Sequence, residues 1–370
     1  MKIAIIAHIR HAVAEPFMGG MEAHAQMLCR GLREAGHEVT LLAAGGSDDR
    51  DCIPLCDRPY EEVYPWAQWR GSQELDRFQA DAYAKARSII AGGQFDVAHN
   101  NSLFPQLIDW AREDGTPMVT SQHVPPFARM AEAVGRARDC QHMQVTFTSH
   151  SQLPLWFDEM PSNARVVYNG IDCDRWHPGR RGNRLVWAGR ITPNKGLLQA
   201  VEAVRLADAS LDIAGPIEDE EYFADCMKAA GMADVRYHGQ LQGEGLRELV
   251  RSARAALVTP MWDEPFGLVA AEALASGVPV IAFDRGAMRE VVGPCGILVE
   301  PGSVSALARA LGEDVIGEET QCRDRALARF SLPSMIEGYE KAYAAAIAAT
   351  FDASRSASAS NCSSTTALLA

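Results

Sequence analysis

Short apolar runs alternate with amphipathic segments along most of the chain. Lys2–Ala7 and His37–Ala43 are rich in β-forming residues, and between them Met21–Ala35 has its apolar residues at helical spacing and ends before Gly36. Strands that alternate with helices indicate a parallel sheet with helices on both faces. The other elements predicted in this part of the chain are the strands Val97–His99, Met118–Ser121 and Val145–Thr148 and the helices Gln73–Ala91 and Leu103–Glu113.

The same alternation starts again after a polar stretch with the sequence HPGRRGNR at 177–184. The strands predicted beyond it are Leu185–Ala188, Leu211–Ala214, Val235–His238, Ala255–Thr259 and Pro279–Ala282. The helices predicted beyond it are Leu197–Leu206, Glu220–Ala230, Leu246–Ala253 and Gly267–Ala275, and the closing segments are Gly296–Glu300 and Val304–Leu311.

Two alternating series of this kind predict two domains, since a chain of 370 residues exceeds the size at which single cores stop growing. We assign 1–177 to an N-terminal and 178–330 to a C-terminal Rossmann-like domain, each with a doubly wound parallel sheet. Segment 331–350 is predicted to be a terminal helix that packs back toward the N-terminal domain, and 351–370 a disordered tail. The two α/β domains are expected to face a central cleft, because ligands of such sheets bind beyond the carboxyl ends of the strands.

Composition limits the function classes without selecting one. With 48 acidic and 35 basic side chains the net charge is −13, which disfavours a nucleic-acid-binding protein, because such a protein needs a basic surface. The apolar run at the start is too short for a signal peptide, and no stretch reaches the ~18 apolar residues of a membrane span. The cysteines are scattered without a CxxC pair, which favours reduced thiols over a zinc site. We therefore predict a cytoplasmic protein without a transmembrane segment.

The first candidate for chemistry is the loop 189–196, with the sequence GRITPNKG, which follows a predicted strand directly and precedes a helix. Its two cations, Arg190 and Lys195, would lie at the carboxyl end of that strand, where they suit a bound diphosphate. Charge-assisted hydrogen bonds of this kind contribute about 1.5–3 kcal/mol each when they are partly buried. An ordinary charged loop shaped by Pro193 and Gly196 is the alternative.

The second candidate is the segment 261–272, with the sequence MWDEPFGLVAAE, which also follows a predicted strand. Pro265 and Gly267 stand where a helix begins, and the unpaired amides of a first helical turn favour an anion such as phosphate. Glu264 precedes this helix and Glu272 lies within it, so the two carboxylates can reach different parts of one extended ligand. A glutamate on a helix face at the margin of the core is the alternative for Glu272.

Taken in order along the chain, these segments resemble the retaining glycosyltransferases of family 4, which have the GT-B fold. Besides the loop with two cations and the pair of glutamates, the resemblance includes a glycine-containing first loop and two further motifs. The motifs in this sequence are GGMEAH (19–24), VVYNGIDCDRW (166–176), GRITPNKG (189–196), EPFGLVAAE (264–272) and ALASGVPVIAFDRGAMREVV (273–292). The resemblance extends over nearly the whole chain, to about residue 348.

The resemblance implies a donor site for a nucleotide diphosphate sugar, with uridine diphosphate as the expected nucleotide. Arg190 and Lys195 would bind the diphosphate and stabilise the negative charge that develops on it. Glu272 would accept hydrogen bonds from the ribose hydroxyls, and Glu264 would hold a hydroxyl of the donor sugar. The other donor-binding residues that the resemblance implies are Gly19, Gly20, Phe266, Gly267, Leu268 and Val269.

The resemblance also implies a reaction that retains the anomeric configuration of the sugar. His123, at the end of a predicted strand of the first domain, matches the histidine that the family places near the primary hydroxyl of the donor sugar. It completes a predicted catalytic set with Glu264, Arg190 and Lys195, although a satisfied core or surface histidine is the alternative. No acidic metal-binding motif occupies the donor site, since Asp48–Asp49 belongs to an early loop. Neither a metal nor another cofactor is therefore expected.

The acceptor, a small molecule or a glycan, is expected to bind to the N-terminal domain. Aromatic side chains can stack on sugar faces, but core packing is the alternative for the tryptophans, and the histidines could equally be solvated. The candidate acceptor-binding residues are His8, His11, Trp66, Trp69, Phe127 and Met130. One departure from the family pattern is RGAMRE at 285–290, which ends at Glu290 and stands where paired glycines are more usual. It affects the expected donor-sugar specificity more than the reaction class.

Two other functions fit a two-domain protein of this kind. An epimerase or a phosphorylase of the same fold would use different acid–base residues or a cofactor-bearing lysine, for which the sequence gives no support. A non-catalytic sugar-binding protein would have no need for Arg190 together with Lys195. Glycosyl transfer is therefore the preferred interpretation.

Overall fold

The computed structural model describes residues 1–138, 140–313 and 318–366. Within these ranges the chain divides into two compact units. The first unit contains Met1–Phe147, Leu153–Val167 and the chain from Ile336 onwards, and the second contains Thr148–Gln152 and Tyr168–Met335. The main transition between the units thus falls at Val167 and Tyr168, somewhat before the predicted boundary at 177/178.

A seven-stranded parallel sheet forms the centre of the first unit. Its strands are β1 (Lys2–Ile6), β2 (Glu38–Ala44), β3 (Cys52–Cys56), β4 (Val97–Asn100), β5 (Met118–Gln122), β6 (Met143–Phe147) and β7 (Ala164–Val166). They lie in the order β3-β2-β1-β4-β5-β6-β7. Strand β3 was not predicted, because its sequence CIPLC has no alternation and contains Pro54, which an edge strand tolerates.

Helices pack around this sheet. They are α1 (Gly20–Glu34), α2 (Tyr60–Val63), α3 (Trp66–Trp69), α4 (Gln73–Gly92), α5 (Gln106–Asp114), α6 (Ala128–Arg136) and α7 (Leu153–Trp156). On α1 the side chains of Leu28 and Leu32 are fully buried, as their spacing of one helical turn requires. Helix α4 is capped by Ser72, whose hydroxyl accepts a hydrogen bond from the amide of Leu75 at 3.2 Å.

The second unit repeats this architecture around a six-stranded sheet. Its strands are β8 (Leu185–Ala188), β9 (Leu211–Ala214), β10 (Val235–Tyr237), β11 (Ala255–Val258), β12 (Val280–Phe283) and β13 (Gly296–Val299), in the order β10-β9-β8-β11-β12-β13. Its helices are α8 (Leu197–Leu206), α9 (Glu220–Ala230), α10 (Gly243–Arg251), α11 (Leu268–Ala275), α12 (Met288–Val292), α13 (Val304–Leu311) and α14 (Glu319–Phe330). All neighbouring strands pair in parallel. The predicted α/β class with two Rossmann-like parallel sheets is therefore confirmed.

Both sheets have a point at which the order of the strands reverses. It lies between β1 and β4 in the first unit and between β8 and β11 in the second. In sheets of this kind the loops at such a point diverge and leave a crevice at the carboxyl ends of the strands. The loops after these four strands are therefore where each unit is expected to bind ligands.

The last helix, α15 (Leu332–Thr366), is longer than the sequence predicted. A disordered tail was expected over 351–370, but the backbone remains helical to Thr366, and residues 367–370 lie outside the described part of the chain. Once a helix is nucleated, each added residue gains a hydrogen bond without a new nucleation cost. Like the other helices among the described residues, α15 does not combine the length and the apolar character required to cross a membrane.

Candidate active site

The loop after β8 carries both cations that the sequence singled out. Gly196, the last residue of this loop, has a φ of +70°, and a Cβ on it would lie 2.0 Å from the carbonyl oxygen of Thr259. Thr259 directly follows β11, so only glycine allows the two loops to approach this closely. The approach brings Lys195 next to the segment that carries Glu264.

Lys195 and Glu264 form an ion pair, with Nζ of the lysine 2.7 Å from Oε2 of the carboxylate. The indole Nε1 of Trp262 donates to the same oxygen at 2.7 Å, and the ammonium lies 5.3 Å from the centre of the Trp262 ring. The lysine side chain is 23% exposed, so a ligand can still reach it. An ammonium group has three N–H donors, and Glu264 occupies one of them.

Arg190 is paired with Glu218, a residue that the sequence analysis did not single out. Its Nη1 donates to both carboxylate oxygens of Glu218, at 3.0 and 2.9 Å. Both side chains are about one-third exposed. A guanidinium has five N–H donors, so Arg190 can bind phosphate oxygens while it stays bonded to Glu218. The loop after β9 carries Glu218, and β9 lies beside β8, which explains how the two side chains meet.

Helix α11 begins shortly after Glu264. Gly267, which precedes the helix, has a φ of +88°, a conformation that favours glycine. The amides of the first helical turn, those of Leu268 and Val269, have no partner within the helix and can donate to phosphate. Phe266, by contrast, is 2% exposed and packs against Phe330, with the ring centres 5.4 Å apart. Its side chain belongs to the core, so any donor contact of Phe266 is limited to its backbone.

A second loop supports the backbone of Glu264. The carbonyl oxygen of Glu264 accepts a hydrogen bond from the amide of Ala287 at 2.8 Å. The preceding Gly286 has a φ of +59°, and a Cβ on it would lie 2.4 Å from both the amide nitrogen and the carbonyl oxygen of Glu264. This loop is the RGAMRE segment, so the departure from the family pattern keeps the glycine that the close approach requires.

Glu272 lies on α11 between Ala271 and Ala273, both of which are fully buried. Its own side chain is partly exposed. Desolvation by the protein packed around it raises the pKa of its carboxyl group to about 7. Near neutral pH this group is therefore divided between the acid and the carboxylate, and only the carboxylate is a strong acceptor for hydroxyl groups.

Glu290, which the resemblance also matched, is occupied by protein groups. Its two carboxylate oxygens accept hydrogen bonds from the amides of His150 and Ser151, at 3.0 and 2.9 Å. Tyr168 donates its hydroxyl to the same carboxylate at 3.2 Å. The structure thus gives Glu290 the role of holding a short 3-10 turn, which begins at His150, within the second unit.

His123 follows β5 and lies in a cluster of buried polar side chains. Its Nε2 is 3.0 Å from Oδ1 of Asn101, and the amide nitrogen of Asn101 is 3.4 Å from Nδ1 of His24. The centres of the two imidazole rings are 4.4 Å apart. Burial lowers the pKa of His123 to about 4 and that of His24 well below its ordinary value, so both rings are neutral at pH 7. His123 was predicted from the sequence as a site residue, whereas His24 and Asn101 were not.

The glycine loop of the first unit leads into α1. Gly19 precedes the helix in an extended conformation, and Gly20 is its exposed first residue. A Cβ on Gly19 would lie 3.1 Å from a carboxylate oxygen of Glu22, which is buried. The positive end of a helix dipole favours an anion here, as it does at α11.

The candidate acceptor residues differ in how accessible they are. Trp66 and Phe127 are both 40% exposed. Trp69 is half-buried against Tyr64, with the ring centres 5.1 Å apart. Met130 is fully buried in the hydrophobic core, which removes its side chain from the acceptor-binding set.

The two histidines of the first loop, His8 and His11, are partly exposed. Burial lowers the pKa of His8 to about 3, with smaller contributions from the charges of Arg10 and His11. At neutral pH His8 is therefore uncharged, so it cannot attract an anionic acceptor through its charge.

The second unit thus gathers the features expected of an anion and sugar site. Strands β8 and β11 are hydrogen-bonded neighbours, and their loops supply Arg190, Lys195 and Glu264 at the point where the strand order reverses. Among the described residues, no group of three or more His, Cys, Asp or Glu side chains is arranged to hold a metal ion. Two cations beside a carboxylate are the groups that an extended ligand with a diphosphate next to hydroxyl groups would require.

Two family models together match most of the chain. Residues 176–324 match the model described as Glycosyl transferases group 1, and residues 18–175 match the model described as Glycosyltransferase Family 4. The first match contains every candidate donor residue of the second unit, and the second contains His123 and the first glycine loop.

Curated proteins and solved structures show this similarity over most of each chain. The chain is 28% identical over 371 residues to MMP alpha-(1->4)-mannosyltransferase of Mycolicibacterium hassiacum, covering 84% of this chain and 89% of that protein. It is 29% identical over 315 residues to phosphatidyl-myo-inositol mannosyltransferase of Mycobacterium leprae, covering 79% and 83%. Its fold is similar to that of AviGT4, a glycosyltransferase involved in Avilamycin A biosynthesis, with a TM-score of 0.70, 22% identity and coverage of 94% and 98%.

Proposed function

Because the chain belongs to the family 4 glycosyltransferases, within glycosyl transferases group 1, and has the GT-B fold, we propose that it is a retaining hexosyltransferase. It uses a nucleotide diphosphate sugar as donor and a hydroxyl group of a small molecule or a glycan as acceptor. The observation that carries this proposal is the cluster of Lys195, Trp262 and Glu264 beside the Arg190 loop, at the carboxyl ends of β8 and β11.

In the proposed step, the bond between the anomeric carbon and the diphosphate oxygen breaks, and a bond to the acceptor oxygen forms on the same face of the sugar. The proton of the acceptor hydroxyl passes to the departing phosphate oxygen, so the step needs no protein base. Arg190 and Lys195 neutralise the charge that develops on the diphosphate, and one preorganised contact of this kind is worth about 2.7–4 kcal/mol. These two cations are proposed to act without a metal ion.

The carboxylate of Glu264 is proposed to hold a hydroxyl of the donor sugar. Its Oε2 accepts hydrogen bonds from Lys195 and Trp262, which fixes the orientation of the carboxylate before the sugar arrives. The other oxygen, Oε1, is the one assigned to the sugar. Glu272 is assigned to the ribose hydroxyls, and His123 of the first unit to the primary hydroxyl of the sugar.

The names of the two curated relatives, both mannosyltransferases, support mannose as the hexose. Uridine diphosphate is the nucleotide of the proposal, and guanosine diphosphate is the alternative that the test includes. The cytoplasmic location remains a prediction that accompanies the proposal.

The donor is tested first by thermal shift with UDP, GDP and their hexose conjugates. A ligand at about 100 times its dissociation constant adds about 2.7 kcal/mol to the free energy of unfolding. A chain that none of these nucleotides stabilises contradicts the proposal.

The reaction is then tested with the stabilising donor and three acceptor probes: methyl α-mannoside, methyl α-glucoside and myo-inositol. Nucleotide diphosphate that appears only with an acceptor, in proportion to a new glycoside, supports transfer. Conversion of the donor to an isomer indicates an epimerase instead. The one-bond carbon–hydrogen coupling at the anomeric centre of the product reports its configuration, and an inverted product contradicts the retaining step.

A further inference from the structure

His24 has no role in the proposed transfer described above, although it lies beside His123. It belongs to α1 and is only 1% exposed. The planes of the two imidazole rings are inclined by 58°, with the ring centres 4.4 Å apart. A buried polar ring of this kind needs hydrogen-bond partners, because an unsatisfied buried donor or acceptor destabilises the folded state.

The hydrogen bonds around Asn101 determine where the protons of both rings lie. The oxygen Oδ1 of an asparagine can only accept, so Nε2 of His123 carries the proton in the 3.0 Å contact between them. Neutral His123 therefore has its lone pair on Nδ1. The nitrogen Nδ2 of Asn101 can only donate, so Nδ1 of His24 carries a lone pair in the 3.4 Å contact, and the proton of His24 is on Nε2.

The Nε2–H group of His24 is directed toward a residue of α15. Nε2 of His24 lies 3.3 Å from the hydroxyl oxygen of Tyr339. This oxygen therefore accepts a hydrogen bond from the Nε2–H group. The same hydroxyl also lies 3.3 Å from Oγ of Ser121. Tyr339 is fully buried, so this contact is shielded from bulk water.

We propose that His24 and Tyr339 are positioning residues that act on His123 through Asn101. They keep the amide of Asn101 in one of its two orientations, which keeps His123 protonated on Nε2 and leaves Nδ1 to accept a hydrogen bond from a sugar hydroxyl. This inference rests on the proposed role of His123 in the transfer.

The mechanism depends on the similar size of the oxygen and the NH2 group of the Asn101 side-chain amide, which allows the amide to fit in either orientation. If Asn101 rotated by half a turn, its nitrogen would face Nε2 of His123 and force the proton of that ring onto Nδ1. The lone pair of His24 opposes this rotation, because it would then face the amide oxygen. Without the hydroxyl of Tyr339, the proton on Nε2 of His24 has no acceptor, which favours the other tautomer of His24 and with it the rotated amide.

The matched control lies one helical turn further along α15. Tyr343 is also fully buried, and its hydroxyl lies 2.6 Å from Nδ1 of His99. Tyr339→Phe and Tyr343→Phe each remove one buried hydroxyl from the same helix, but only the first removes the partner of His24.

The test uses the full chain with nitrogen-15 labelled histidine, and the nitrogen shifts of His123 give its tautomer by NMR. Tyr339→Phe and His24→Phe are expected to move His123 toward the form protonated on Nδ1. Tyr343→Phe removes a hydroxyl that connects to His24 only through His99, Ser121 and Tyr339, and it is expected to move the tautomer much less. His24→Asn retains an acceptor near the position of Nδ1 and is expected to restore the original tautomer at least in part. With the best donor and acceptor, Tyr339→Phe should lower kcat about tenfold, the loss that corresponds to one neutral hydrogen bond, without a change in the affinity for the nucleotide diphosphate.

The proposal is overturned if the tautomer of His123 is the same in wild type and in Tyr339→Phe, or if the wild type is active and Tyr339→Phe has an equal kcat. It is also overturned if Tyr343→Phe changes the tautomer as strongly as Tyr339→Phe does. A wild-type chain that shows the expected nitrogen shifts but turns over no nucleotide sugar supports the positioning role and contradicts the proposed function, because the NMR measurement does not depend on activity.

Discussion

The Nζ atom of Lys195 lies 2.7 Å from Oε2 of Glu264, so the residue proposed to bind the diphosphate holds the residue proposed to bind the sugar. Both side chains are ordered by this contact before a donor arrives, and less conformational entropy remains to be lost on binding. The pair also means that removing either partner affects the other, because it leaves a partly buried charge without its counter-ion.

We expect Lys195→Ala and Arg190→Ala to lower kcat/KM by about two to three orders of magnitude each, since each removes one preorganised contact to the developing negative charge. Arg236→Ala is the control, because Arg236 is 61% exposed and pairs with Asp234 at the edge of the sheet. Steady-state kinetics and melting temperatures of the three variants provide the measurement. Near-normal rates in both Lys195→Ala and Arg190→Ala would remove the cations from the mechanism.

Substitutions of Glu272 and Glu264 are expected to differ in their effects: one on the affinity for the nucleotide diphosphate, the other on the rate of transfer. Glu272→Gln removes a charged acceptor for the ribose hydroxyls, each such bond being worth about 1.5–3 kcal/mol, so the affinity for the bare nucleotide diphosphate should fall. Glu264→Gln should leave that affinity nearly unchanged, because its amide oxygen can still accept the hydrogen bond from Lys195, and should slow the transfer. Calorimetric titration of both variants, together with their kcat values, measures the two effects. The opposite pattern would show that the roles are reversed.

The raised pKa of Glu272 predicts a specific dependence of stability on pH. The carboxyl group has an ordinary value of 4.5 and a folded value of about 7, so the folded state binds the proton more tightly than the unfolded state. Its contribution to stability is therefore complete below about pH 4.5 and is lost as the pH rises through 7. Between pH 5 and 8 the free energy of unfolding of the ligand-free wild type should fall by up to about 3 kcal/mol. The free energy of unfolding of Glu272→Gln should not show this decrease.

This difference is measured by chemical denaturation across the pH range, with Glu38→Gln as a control at a side chain that is 76% exposed. Parallel pH profiles of wild type and Glu272→Gln would mean that the carboxyl group of Glu272 titrates normally.

Gly286 is expected to be essential for the position of Glu264. In Gly286→Ala the added methyl group would lie 2.4 Å from the backbone of Glu264, so the segment with Glu264 must move and activity should fall by about tenfold or more. Gly239→Ala is the matched control, because Gly239 also has a positive φ, +75°, but a Cβ there meets no atom within 4 Å. Both variants place alanine at a positive φ and therefore introduce similar backbone strain. Equal activities would show that the contact with Glu264 is unimportant.

The transfer is expected to proceed in excess EDTA. The reason is that two cations on the loop after β8 can neutralise the leaving diphosphate. Rates are measured with and without chelator, and with added magnesium or manganese. Activity that disappears with EDTA and returns with either metal would show that Arg190 and Lys195 are insufficient.

Several elements could be predicted from the sequence to the residue. The strands Leu185–Ala188 and Leu211–Ala214 and the helix Leu197–Leu206 agree with the predicted bounds, because polar residues, glycine and proline delimit their apolar patterns. The loops with Arg190, Lys195 and Glu264 could be placed for the same reason, since each follows a well-marked strand.

The partners of these residues could not be predicted in the same way. Arg190 and Glu218 are 28 residues apart in separate loops, and their contact depends on loop conformations that no periodic pattern encodes. The burial of His24 could have been predicted from the sequence, because this residue lies one helical turn before Leu28 on the buried face of α1. A polar residue on an apolar helix face indicates a buried hydrogen-bond network, but its partners Asn101 and Tyr339 come from distant parts of the chain.

The return of the chain to the first unit at Ile336 has a consequence for synthesis on the ribosome. The strands and α1 of the first unit are translated before the second unit, yet Tyr339 and Tyr343, which His24 and His99 need as partners, emerge only after it. By then residues 168–335 have left the ribosome and can fold as a unit, since domains generally fold as they are made. A message truncated shortly before Tyr339 would therefore yield a complete second unit attached to a first unit with unsatisfied buried imidazoles, a product suited to proteolytic removal rather than to partial activity.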